Sequence, residues 1–282
     1  MEDVAGKVIL ITGASSGIGE HMAYAYAKRG ACLALAARRE QLLLEVANKA
    51  KKMGSPKVLV ITADVSKVDD CKRMIDATID HFGQVDHLVN NAGVVSSSRF
   101  ESYSDVSDVK PVMEINFWGA VYTTKFAIPH LRKSKGRIIV ISSGYHWIPN
   151  PTTSVYNASK AAMTSFFETL RIELAPDINV TIVILGMVDS EMTRGRHLLK
   201  DDEMFINQTM RDICSTKIWY LFGNANGFAE AIVRGICRGR GYLHEPVWEQ
   251  QGRYVYLLCP EVVYWVLKKM LPFFLGGHAS KD

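Results

Sequence analysis

Cysteine is scarce in this chain of 282 residues, and its placement indicates neither disulfides nor a metal site. The five cysteines are odd in number, lie far apart and show no spacing typical of metal ligands. We therefore expect reduced thiols, no bound metal, and a reducing compartment such as the cytoplasm.

Long uninterrupted apolar runs are also missing. The first seven residues are polar, so we expect no secretory signal before the first apolar run. Residues 254–275 are strongly apolar and aromatic, but a membrane-spanning helix is excluded by the interruptions at Pro260, Glu261, Lys268, Lys269 and Pro272. Two interpretations stay open: the segment lies in a membrane interface with Trp265 at its boundary, or it covers the pocket or a partner subunit.

The sequence also has no strong excess of positive or negative charge. The formal net charge of +4 falls short of the clustered basic surface of a nucleic-acid-binding protein, so no nucleic-acid partner is expected. A hydrophobic content of 48% is enough for one large core, and no internal repeat or low-complexity linker divides the chain. The composition therefore indicates a single domain.

Short apolar runs alternate with helical stretches through most of the chain. Strands are predicted at 7–12, 31–37, 57–62, 85–89, 137–142 and 179–185. Helices are predicted near 17–29, 39–53, 67–82, 105–133, 156–174 and 225–238. The alternation is typical of an α/β fold, a doubly wound parallel sheet with helical crossovers. Its ligands bind at the carboxyl ends of strands, where we expect five segments to converge, those at Gly13, Asp64, Asn90, Ser143 and Gly186.

A glycine-rich turn follows the first predicted strand. Residues 8–11 are apolar, Thr12–Gly19 contains three glycines, and a helical stretch comes next. Glycines let the backbone approach a pyrophosphate closely, and the N–H groups and positive dipole end of the helix hold the anion. The order of strand, turn and helix therefore predicts a dinucleotide-binding turn.

Tyr156 and Lys160 stand four residues apart in a predicted helix, with Ser143 thirteen residues upstream of the tyrosine. Residues at i and i+4 share a helix face, so the Lys160 ammonium can lie close to the Tyr156 phenol. A neighbouring positive charge lowers the pKa of a phenol from about 10 toward the working pH, as a general acid requires. Ser143 would hold the substrate oxygen by a second hydrogen bond. Together the three residues predict a hydride-transfer site.

These motifs resemble, in order, those of the short-chain dehydrogenase/reductases. The matching segments are Thr12–Gly19, Asn90–Gly93, Asn116, Ser143 and Tyr156–Lys160. The resemblance spans about residues 5–240. Within it, Leu185–Thr193 is similar to the branch that contains 11-beta-hydroxysteroid dehydrogenases and plant steroleosins. Most of the wider family has proline in place of Leu185, so we expect a less rigid turn over the nicotinamide here.

The resemblance implies a Rossmann domain over residues 1–245, with a helical substrate lid at about 190–224, and an apolar C-terminal extension at 246–282. Tyr156 would protonate a ketone oxygen, Lys160 would lower the phenol pKa and bind the nicotinamide ribose, and Ser143 would polarise the oxygen. Asn116 would sustain a water-linked proton path. The implied cofactor-binding residues are Gly13, Ser15, Ser16, Gly17, Ile18, Gly19, Arg38, Arg39, Asp64, Val65, Asn91, Ala92, Gly93, Tyr156, Lys160, Gly186, Val188 and Thr193.

The end of the second predicted strand indicates the choice of cofactor. An acidic residue about twenty positions after the glycine turn would bind the ribose hydroxyls of NAD, but this chain has Ala37, Arg38 and Arg39 there. An arginine can bind a 2′-phosphate in a charge-assisted fork, so NADP(H) is predicted. The alternative is that both arginines begin a solvent-facing helix. Asp64 has an alternative as well, since an aspartate after a strand is commonly a helix N-cap.

The predicted lid is rich in apolar residues: Met192, Leu198, Leu199, Met204, Phe205, Ile206, Met210, Ile213, Trp219, Tyr220, Leu221 and Phe222. They would either wall an apolar pocket or form core helices. His146 and Trp147 are expected to border the substrate together with Ser143 and Tyr156, because they follow the serine closely.

The expected substrate is a small apolar ketone or alcohol, a steroid, sterol or other terpenoid. Alternatives are a smaller carbonyl, an alkaloid ketone, or a non-catalytic cofactor-bound role at a lipid surface. A homodimer is expected, and so is peripheral contact with the endoplasmic reticulum or a lipid-droplet surface through residues 254–275.

Overall fold

The computed structural model describes residues 2–198, 204–206 and 223–274. Its strands are β1 (Val8–Thr12), β2 (Cys32–Ala37), β3 (Val58–Thr62), β4 (His87–Asn90), β5 (Arg137–Ser143), β6 (Asn179–Leu185), β7 (Arg196–Leu198), β8 (Met204–Ile206) and β9 (Tyr242–Glu245). Its helices are α1 (Gly17–Ala27), α2 (Glu40–Lys52), α3 (Val68–Phe82), α4 (Lys110–Met113), α5 (Gly119–Ser134), α6 (Ser154–Glu173), α7 (Ala225–Cys237), α8 (Trp248–Leu258) and α9 (Pro260–Phe274).

Seven strands form one parallel sheet in the order β3-β2-β1-β4-β5-β6-β9. The order reverses beside β1, which pairs with β2 through Ile9 and Leu33 and with β4 through Ile9 and His87. The crevice outside such a reversal is where doubly wound sheets bind their ligands. The predicted single-domain α/β fold is therefore confirmed.

Two hydrophobic cores cover the two faces of the sheet. Along β1, Ile9 and Ile11 are buried in the core shared with α1, α2 and α7, whereas Leu10 is buried in the core shared with α3, α5 and α6. Successive side chains of a strand point to opposite faces, so a strand covered on both faces is apolar throughout. That is why β1 reads as an unbroken apolar run and could be predicted from the sequence.

The helix predicted near 105–133 is broken into several parts. A 3₁₀ turn at Val106–Val109 leads into α4, which continues through a π-helical turn at Glu114–Trp118 into α5. A π turn inserts one residue into the helical repeat and is frequent at functional sites. Asn116 lies in this turn, which shifts the helix locally at the point where it passes the cavity described below.

The described part of the predicted helical lid is not helical. β7 and β8 form an antiparallel pair, with His197 opposite Phe205, and the Leu198 N–H donates to the Val95 carbonyl at 2.8 Å. This pairing ties the base of the lid to the loop after β4. Seven of the apolar lid residues lie outside the described residues: Leu199, Met210, Ile213, Trp219, Tyr220, Leu221 and Phe222.

The C-terminal extension begins with two helices that the sequence analysis did not predict. Edge strand β9 pairs with β6, and α8 and α9 follow it. Among the residues that the structure describes, no helix is long and apolar enough to cross a membrane.

Candidate active site

The carboxyl ends of the strands surround a cavity of about 450 Å³. Its wall includes most of the residues predicted for the cofactor and for catalysis, namely Gly13, Ser15, Ser16, Gly17, Ile18, Arg38, Arg39, Asp64, Val65, Asn91, Ala92, Gly93, Ser143, Tyr156, Lys160, Gly186, Val188 and Thr193. Four further described residues with predicted roles lie outside this wall: Gly19, Asn116, His146 and Trp147.

Close backbone approach explains the glycines of the turn. A Cβ atom at Gly13 would lie 2.7 Å from Ala92 Cα, and one at Gly19 would lie 2.5 Å from the Gly13 carbonyl oxygen. Gly13 and Gly17 have φ angles of 65° and 60°, which glycine adopts without strain. Helix α1 begins here, and the side chain of its N-cap residue Ser16 makes no capping hydrogen bond. The N–H groups of the first turn are thus available to an anion, so the turn fits a pyrophosphate.

The Thr12 side chain joins the glycine turn to the segment after β4. Its Oγ1 accepts hydrogen bonds from the N–H groups of Asn91 and Ala92, both at 3.1 Å, and Asn91 Nδ2 donates back to the Thr12 carbonyl at 2.9 Å. Asn90 Nδ2 donates to Thr124 Oγ1 at 2.8 Å. These bonds fix two neighbouring strand ends against each other, and Asn90 fastens them to α5.

Arg39 lies beside the glycine turn. Its guanidinium donates to Ser16 Oγ at 2.6 Å and to Ser15 Oγ at 3.3 Å, and it pairs with Glu191 at 2.8 Å. The pair joins the turn to the base of the lid. A guanidinium in this place can bind a phosphate group, since its fork of donors matches phosphate oxygens.

Arg38 lies beside Asp64, with 3.7 Å between guanidinium nitrogen and carboxyl oxygen. Asp64 Oδ1 accepts hydrogen bonds from the N–H of Ser66 at 2.9 Å and from its hydroxyl at 2.8 Å. Helix α3 begins only at Val68, with Lys67 as its N-cap residue. Asp64 therefore closes a local turn in the cavity wall and is not the N-cap that the sequence offered as an alternative.

Tyr156, Lys160 and Ser143 come together where the start of α6 meets the end of β5. Lys160 Nζ lies 5.8 Å from the centroid of the Tyr156 ring and donates to the Ile141 carbonyl at 3.0 Å. The Ser143 hydroxyl is hydrogen-bonded to the phenol and accepts a bond from the Tyr145 N–H at 3.2 Å. The three polar groups are buried yet line the cavity, so they meet a bound molecule away from bulk water.

Burial controls the pKa values of this pair. It raises the pKa of Tyr156 to about 12, although the hydrogen bond from Ser143 acts in the opposite direction. It lowers the pKa of Lys160 to about 8. We expected Lys160 to bring the phenol pKa down to the working pH, and this arrangement does not do so, because desolvation of the phenol outweighs the other effects. At neutral pH the phenol therefore keeps its proton.

Asn116 is fully buried, and its side chain ties three segments together. Its Oδ1 accepts from the Val94 N–H at 2.8 Å, and its Nδ2 donates to the Val94 carbonyl at 2.9 Å and to Ser159 Oγ at 3.0 Å. A Cβ at Gly93 would lie 3.2 Å from Asn116 Oδ1 and 3.7 Å from Lys160 Nζ, so the amide and the ammonium are close neighbours. The amide therefore ties α6 to the segment after β4. The proton path through Asn116 stays a prediction.

The segment after β6 closes the cavity from the lid side. Gly186 packs against Pro246, whose Cδ would lie 2.9 Å from a Cβ at the glycine. Thr193 Oγ1 donates to the Val188 carbonyl at 2.6 Å and accepts from the Ser190 N–H at 2.9 Å. These bonds give the base of the lid a defined shape without the proline found in most of the wider family.

His146 and Trp147 do not take the places expected of them. His146 Nδ1 lies 2.6 Å from the carbonyl oxygen of Ser143, and burial lowers the pKa of its imidazole. Trp147 Nε1 donates to Glu249 Oε1 at 2.8 Å. One ring nitrogen of each side chain is held by these bonds, and Tyr145 and Ile148 line the cavity instead.

Glu249 is a cavity residue that the sequence analysis missed. It lies in the first turn of α8, is only 3% exposed, and forms part of the cavity wall. The apolar extension reads as one segment in the sequence, so a single carboxyl group within it gives no sign of a cavity residue. The cavity wall also includes the apolar and aromatic residues Val94, Val95, Tyr145, Ile148, Met192 and Met204, beside polar ones such as Asn150, Thr152 and His197.

Comparison with protein families places this geometry in a known context. The family model described as short chain dehydrogenase matches residues 7–199. An 11-beta-hydroxysteroid dehydrogenase A of Sesamum indicum is 52% identical over 269 residues, which is 95% of this chain and 76% of that protein. The 11-beta-hydroxysteroid dehydrogenase 1A of Arabidopsis thaliana is 51% identical over 281 residues, which is 100% of this chain and 79% of that protein.

Solved structures are similar over most of the chain. A short chain dehydrogenase/reductase from Burkholderia phymatum, in complex with NAD, is 25% identical with a TM-score of 0.78, and the match covers 90% of this chain and 94% of that one. An alcohol dehydrogenase from Thermococcus sibiricus, complexed with 5-hydroxy-NADP, is 26% identical with a TM-score of 0.69, covering 84% of this chain and 95% of that one. The two complexes hold different nicotinamide cofactors.

Proposed function

Because the chain belongs to the short-chain dehydrogenase family, in its 11-beta-hydroxysteroid dehydrogenase-like branch, and is an oxidoreductase, we propose that it interconverts an apolar ketone and its secondary alcohol with NADP(H). The proposed substrate is a steroid, a sterol or another terpenoid. The observation that carries this proposal is the meeting of Tyr156, Ser143 and Lys160 in one largely apolar cavity beside a pyrophosphate-binding turn.

Each polar group at the site has a role in ketone reduction. The Tyr156 phenol, whose pKa is raised to about 12, keeps a proton to donate to the substrate oxygen. The Ser143 hydroxyl orients and polarises the same oxygen. Lys160 supplies a positive charge that stabilises the phenolate left behind. When bound, the nicotinamide supplies the hydride to the carbonyl carbon.

The preference for NADP(H) is proposed from the two arginines after β2. Arg39 and Arg38 line the cavity beside the glycine turn, whereas a carboxylate that would accept from ribose hydroxyls is missing directly after β2. Arg38→Ala and Arg39→Ala are each expected to weaken NADPH binding by about ten-fold or more, as loss of a charge-assisted hydrogen bond does, and to change NADH binding little. The control is Arg132→Ala, since Arg132 pairs with Asp177 at the surface.

An apolar substrate follows from the rest of the wall. The methionines and valines of the cavity wall offer few hydrogen bonds, and a cavity of about 450 Å³ is within the range of small-molecule sites. A smaller carbonyl or an alkaloid ketone would bind the same polar trio but leave much of this wall in contact with water.

The testing experiment is a spectrophotometric assay of the purified chain. NADPH or NADH is offered with a panel of steroid and terpenoid ketones, and NADP or NAD with the matching alcohols. We expect turnover with NADP(H), and a loss of at least about a hundred-fold in Tyr156→Phe without a change in cofactor affinity. Tyr122→Phe is the matched control, because Tyr122 lies in α5 outside the cavity wall and stacks on Trp118 of the π turn. Full activity of Tyr156→Phe would overturn the role of the phenol. A clear preference for NADH would overturn the choice of NADP(H).

We also propose that α8 and α9 make peripheral contact with a lipid surface. The support is a row of exposed apolar and aromatic side chains, with Leu257 and Trp265 both 62% exposed and Leu258 80% exposed. Lys269 lies 6.0 Å from the Trp265 ring, and a lysine beside an aromatic ring suits the boundary between lipid and water. Pairing of two copies through this surface, and cytoplasmic location, stay predictions.

Flotation with phosphatidylcholine and phosphatidylserine vesicles tests the lipid contact. Leu257→Asp together with Leu258→Asp should abolish flotation of the full chain, because two charges then enter the apolar surface. Ile172→Asp is the matched control, since Ile172 is 80% exposed on α6. Equal flotation of the double variant and the wild type would exclude the proposed contact.

A further inference from the structure

A buried carboxyl group lines the cavity next to the catalytic serine. A Cβ built at Gly144, the residue that follows Ser143, would lie 2.9 Å from Glu249 Oε1. The other two carboxyl groups among the described wall residues, Asp64 and Glu191, are paired with arginines after β2. Glu249 is thus the wall carboxyl group that lies against Gly144, next to Ser143.

The hydrogen bonds of Glu249 leave acceptor capacity unused. Oε1 accepts from Trp147 Nε1 at 2.8 Å, and Oε2 lies 2.5 Å from His244 Nδ1. An ionised carboxylate has about four acceptor sites on its two oxygens, so each oxygen can take one more donor. A buried polar group of this kind gains from a further donor and makes a cavity more selective for it.

Its position is firmly held. Trp147 packs on helix α8, where a Cβ at Gly252 would lie 3.4 Å from the indole and the Tyr256 ring lies 5.6 Å away. His244 comes from β9, so two elements fix the carboxyl group from either side. A group that recognises a substrate works best when it is already rigid, because immobilising a flexible side chain on binding costs free energy.

We propose that Glu249 determines substrate specificity by accepting a hydrogen bond from a hydroxyl group on the apolar substrate. The inference rests on the proposed function and narrows its substrate class to hydroxylated ketones, or diols in the reverse direction. The hydroxyl lies on the side of the reacting carbon that faces Gly144. A ketone without this hydroxyl leaves the acceptor without its partner.

A neutral hydroxyl fits better than an ammonium group. Glu249 already has the His244 imidazole at ion-pair distance, and it lies in the first turn of α8, where the helix dipole favours negative charge. The helix dipole therefore offsets part of a negative charge on this carboxyl group, and an ammonium group would lose far more hydration than a hydroxyl on entering the apolar wall. What remains to be satisfied is hydrogen-bond acceptance.

The test compares Glu249→Gln with the wild type on 5α-androstane-3,17-dione and a set of its derivatives that each carry one added hydroxyl. In the wild type, at least one derivative should exceed the parent in kcat/KM by about ten-fold or more, and Glu249→Gln should remove that advantage. The parent itself should change by less than about three-fold. Glutamine keeps the shape and can still accept from Trp147, so the wall is expected to stay folded.

Trp147→Phe separates recognition from packing. It removes one tie to α8 but keeps the carboxyl group, so it should lower the melting temperature and retain most of the preference for the hydroxylated derivative. Equal effects of Glu249→Gln on parent and derivatives, an unchanged preference, or a stronger preference for amine-bearing analogues would overturn the proposal. If the wild type reduces none of these ketones and none of the steroid and terpenoid panel described above, the proposed function fails. Calorimetry then tests the role of Glu249 separately, by comparing the affinities of the parent dione and its hydroxylated derivatives for the NADP-loaded wild type and Glu249→Gln.

Discussion

At the scale of single residues, the charge of Lys160 is expected to shape the pH dependence of catalysis. Burial lowers its pKa to about 8, so it loses its proton above that pH. The positive charge that stabilises the Tyr156 phenolate is then lost. Ketone reduction should therefore be nearly constant below pH 8 and fall above it. Alcohol oxidation should rise with pH instead, because it needs the phenolate of a group whose pKa is raised to about 12.

Pre-steady-state or kcat/KM profiles in both directions would check this dependence. Lys160→Arg serves as the comparison, since arginine stays charged throughout the accessible range. Its reduction rate is expected to be lower but to show no decline above pH 8. A decline at the same pH in this variant would assign the titration to another group.

The residues with the strongest chemistry were the ones that the sequence indicated best. Tyr156 and Lys160 share a face of α6, and the order of the other motifs, together with the family resemblance, indicated that Ser143 at the end of β5 joins them. Glu249 could not be found in this way, because its place depends on β9 and α8 packing against the cavity wall. His146 and Trp147 show the opposite error: closeness in sequence to the serine did not put their side chains on the wall.

At the scale of elements, the turn before α1 should tolerate no side chain at Gly19. A Cβ there would lie 2.5 Å from the Gly13 carbonyl oxygen, so the turn or the helix must move. Gly19→Ala is expected to weaken cofactor binding by about a hundred-fold or more and to lower stability by about 1–3 kcal/mol. Isothermal titration with NADP and urea unfolding would measure both.

Gly227 provides the matched comparison for that substitution. It lies in the first turn of α7, and a Cβ there would meet nothing within 4 Å. Gly227→Ala should leave cofactor binding unchanged and raise the free energy of unfolding by up to about 1 kcal/mol, the usual gain within a helix. Similar losses in both variants would contradict the explanation by crowding at the turn, because a Cβ at Gly227 meets no neighbour.

Strands buried on both faces could be predicted because they read as unbroken apolar runs, and all six predicted strands are present. β9 is short and polar in composition, so no such signal marked it. The helix predicted near 105–133 showed the right periodicity, but one-residue insertions such as the π turn at Glu114–Trp118 leave that periodicity nearly unchanged. The described part of the lid is not helical, because pairing between β7 and β8 overrides local propensity there.

At the scale of the whole molecule, a polar cluster at the amino ends of the strands is expected to make folding sensitive to acid. His87 is buried between the Tyr26 hydroxyl at 3.1 Å and Glu2 at 3.2 Å, and Glu2 also pairs with Lys7 at 2.6 Å and Arg137 at 3.8 Å. The hydrogen bond with His87, followed by the Lys7 contact, lowers the pKa of Glu2 to about 2, against the effect of burial. Burial lowers the pKa of His87.

Both shifts act in the same direction on stability. A carboxyl group with a lowered pKa stabilises the fold fully above its usual value of 4.5 and loses that contribution as the pH falls toward 2. A histidine kept neutral by burial contributes above its usual 6.5 and loses its contribution below it. The free energy of unfolding should therefore decrease steadily on acidification from pH 7.

Urea unfolding of Glu2→Gln at several pH values would check the carboxyl part. We expect lower stability than the wild type at pH 7 and a weaker decline below pH 4.5. Glu101→Gln is the control, because the Glu101 side chain is 67% exposed and pairs only with Arg99 in the ion pairs described. Parallel curves for Glu2→Gln and the wild type would show that the cluster does not cause the acid sensitivity.

The edge position of β9 also governs the order in which the molecule can assemble. Parallel strands need a crossover between them, so each pairing must close a long loop before its contacts form. β9 joins the sheet by pairing with β6, and the entire lid lies between these two strands in the sequence. Helix α8, which contains Glu249, follows β9 directly. During synthesis the glycine turn can therefore fold first, together with Ser143, Tyr156 and Lys160. The part of the cavity wall that holds Glu249 is completed later. A nascent chain would reach cofactor binding before it acquires a finished substrate cavity.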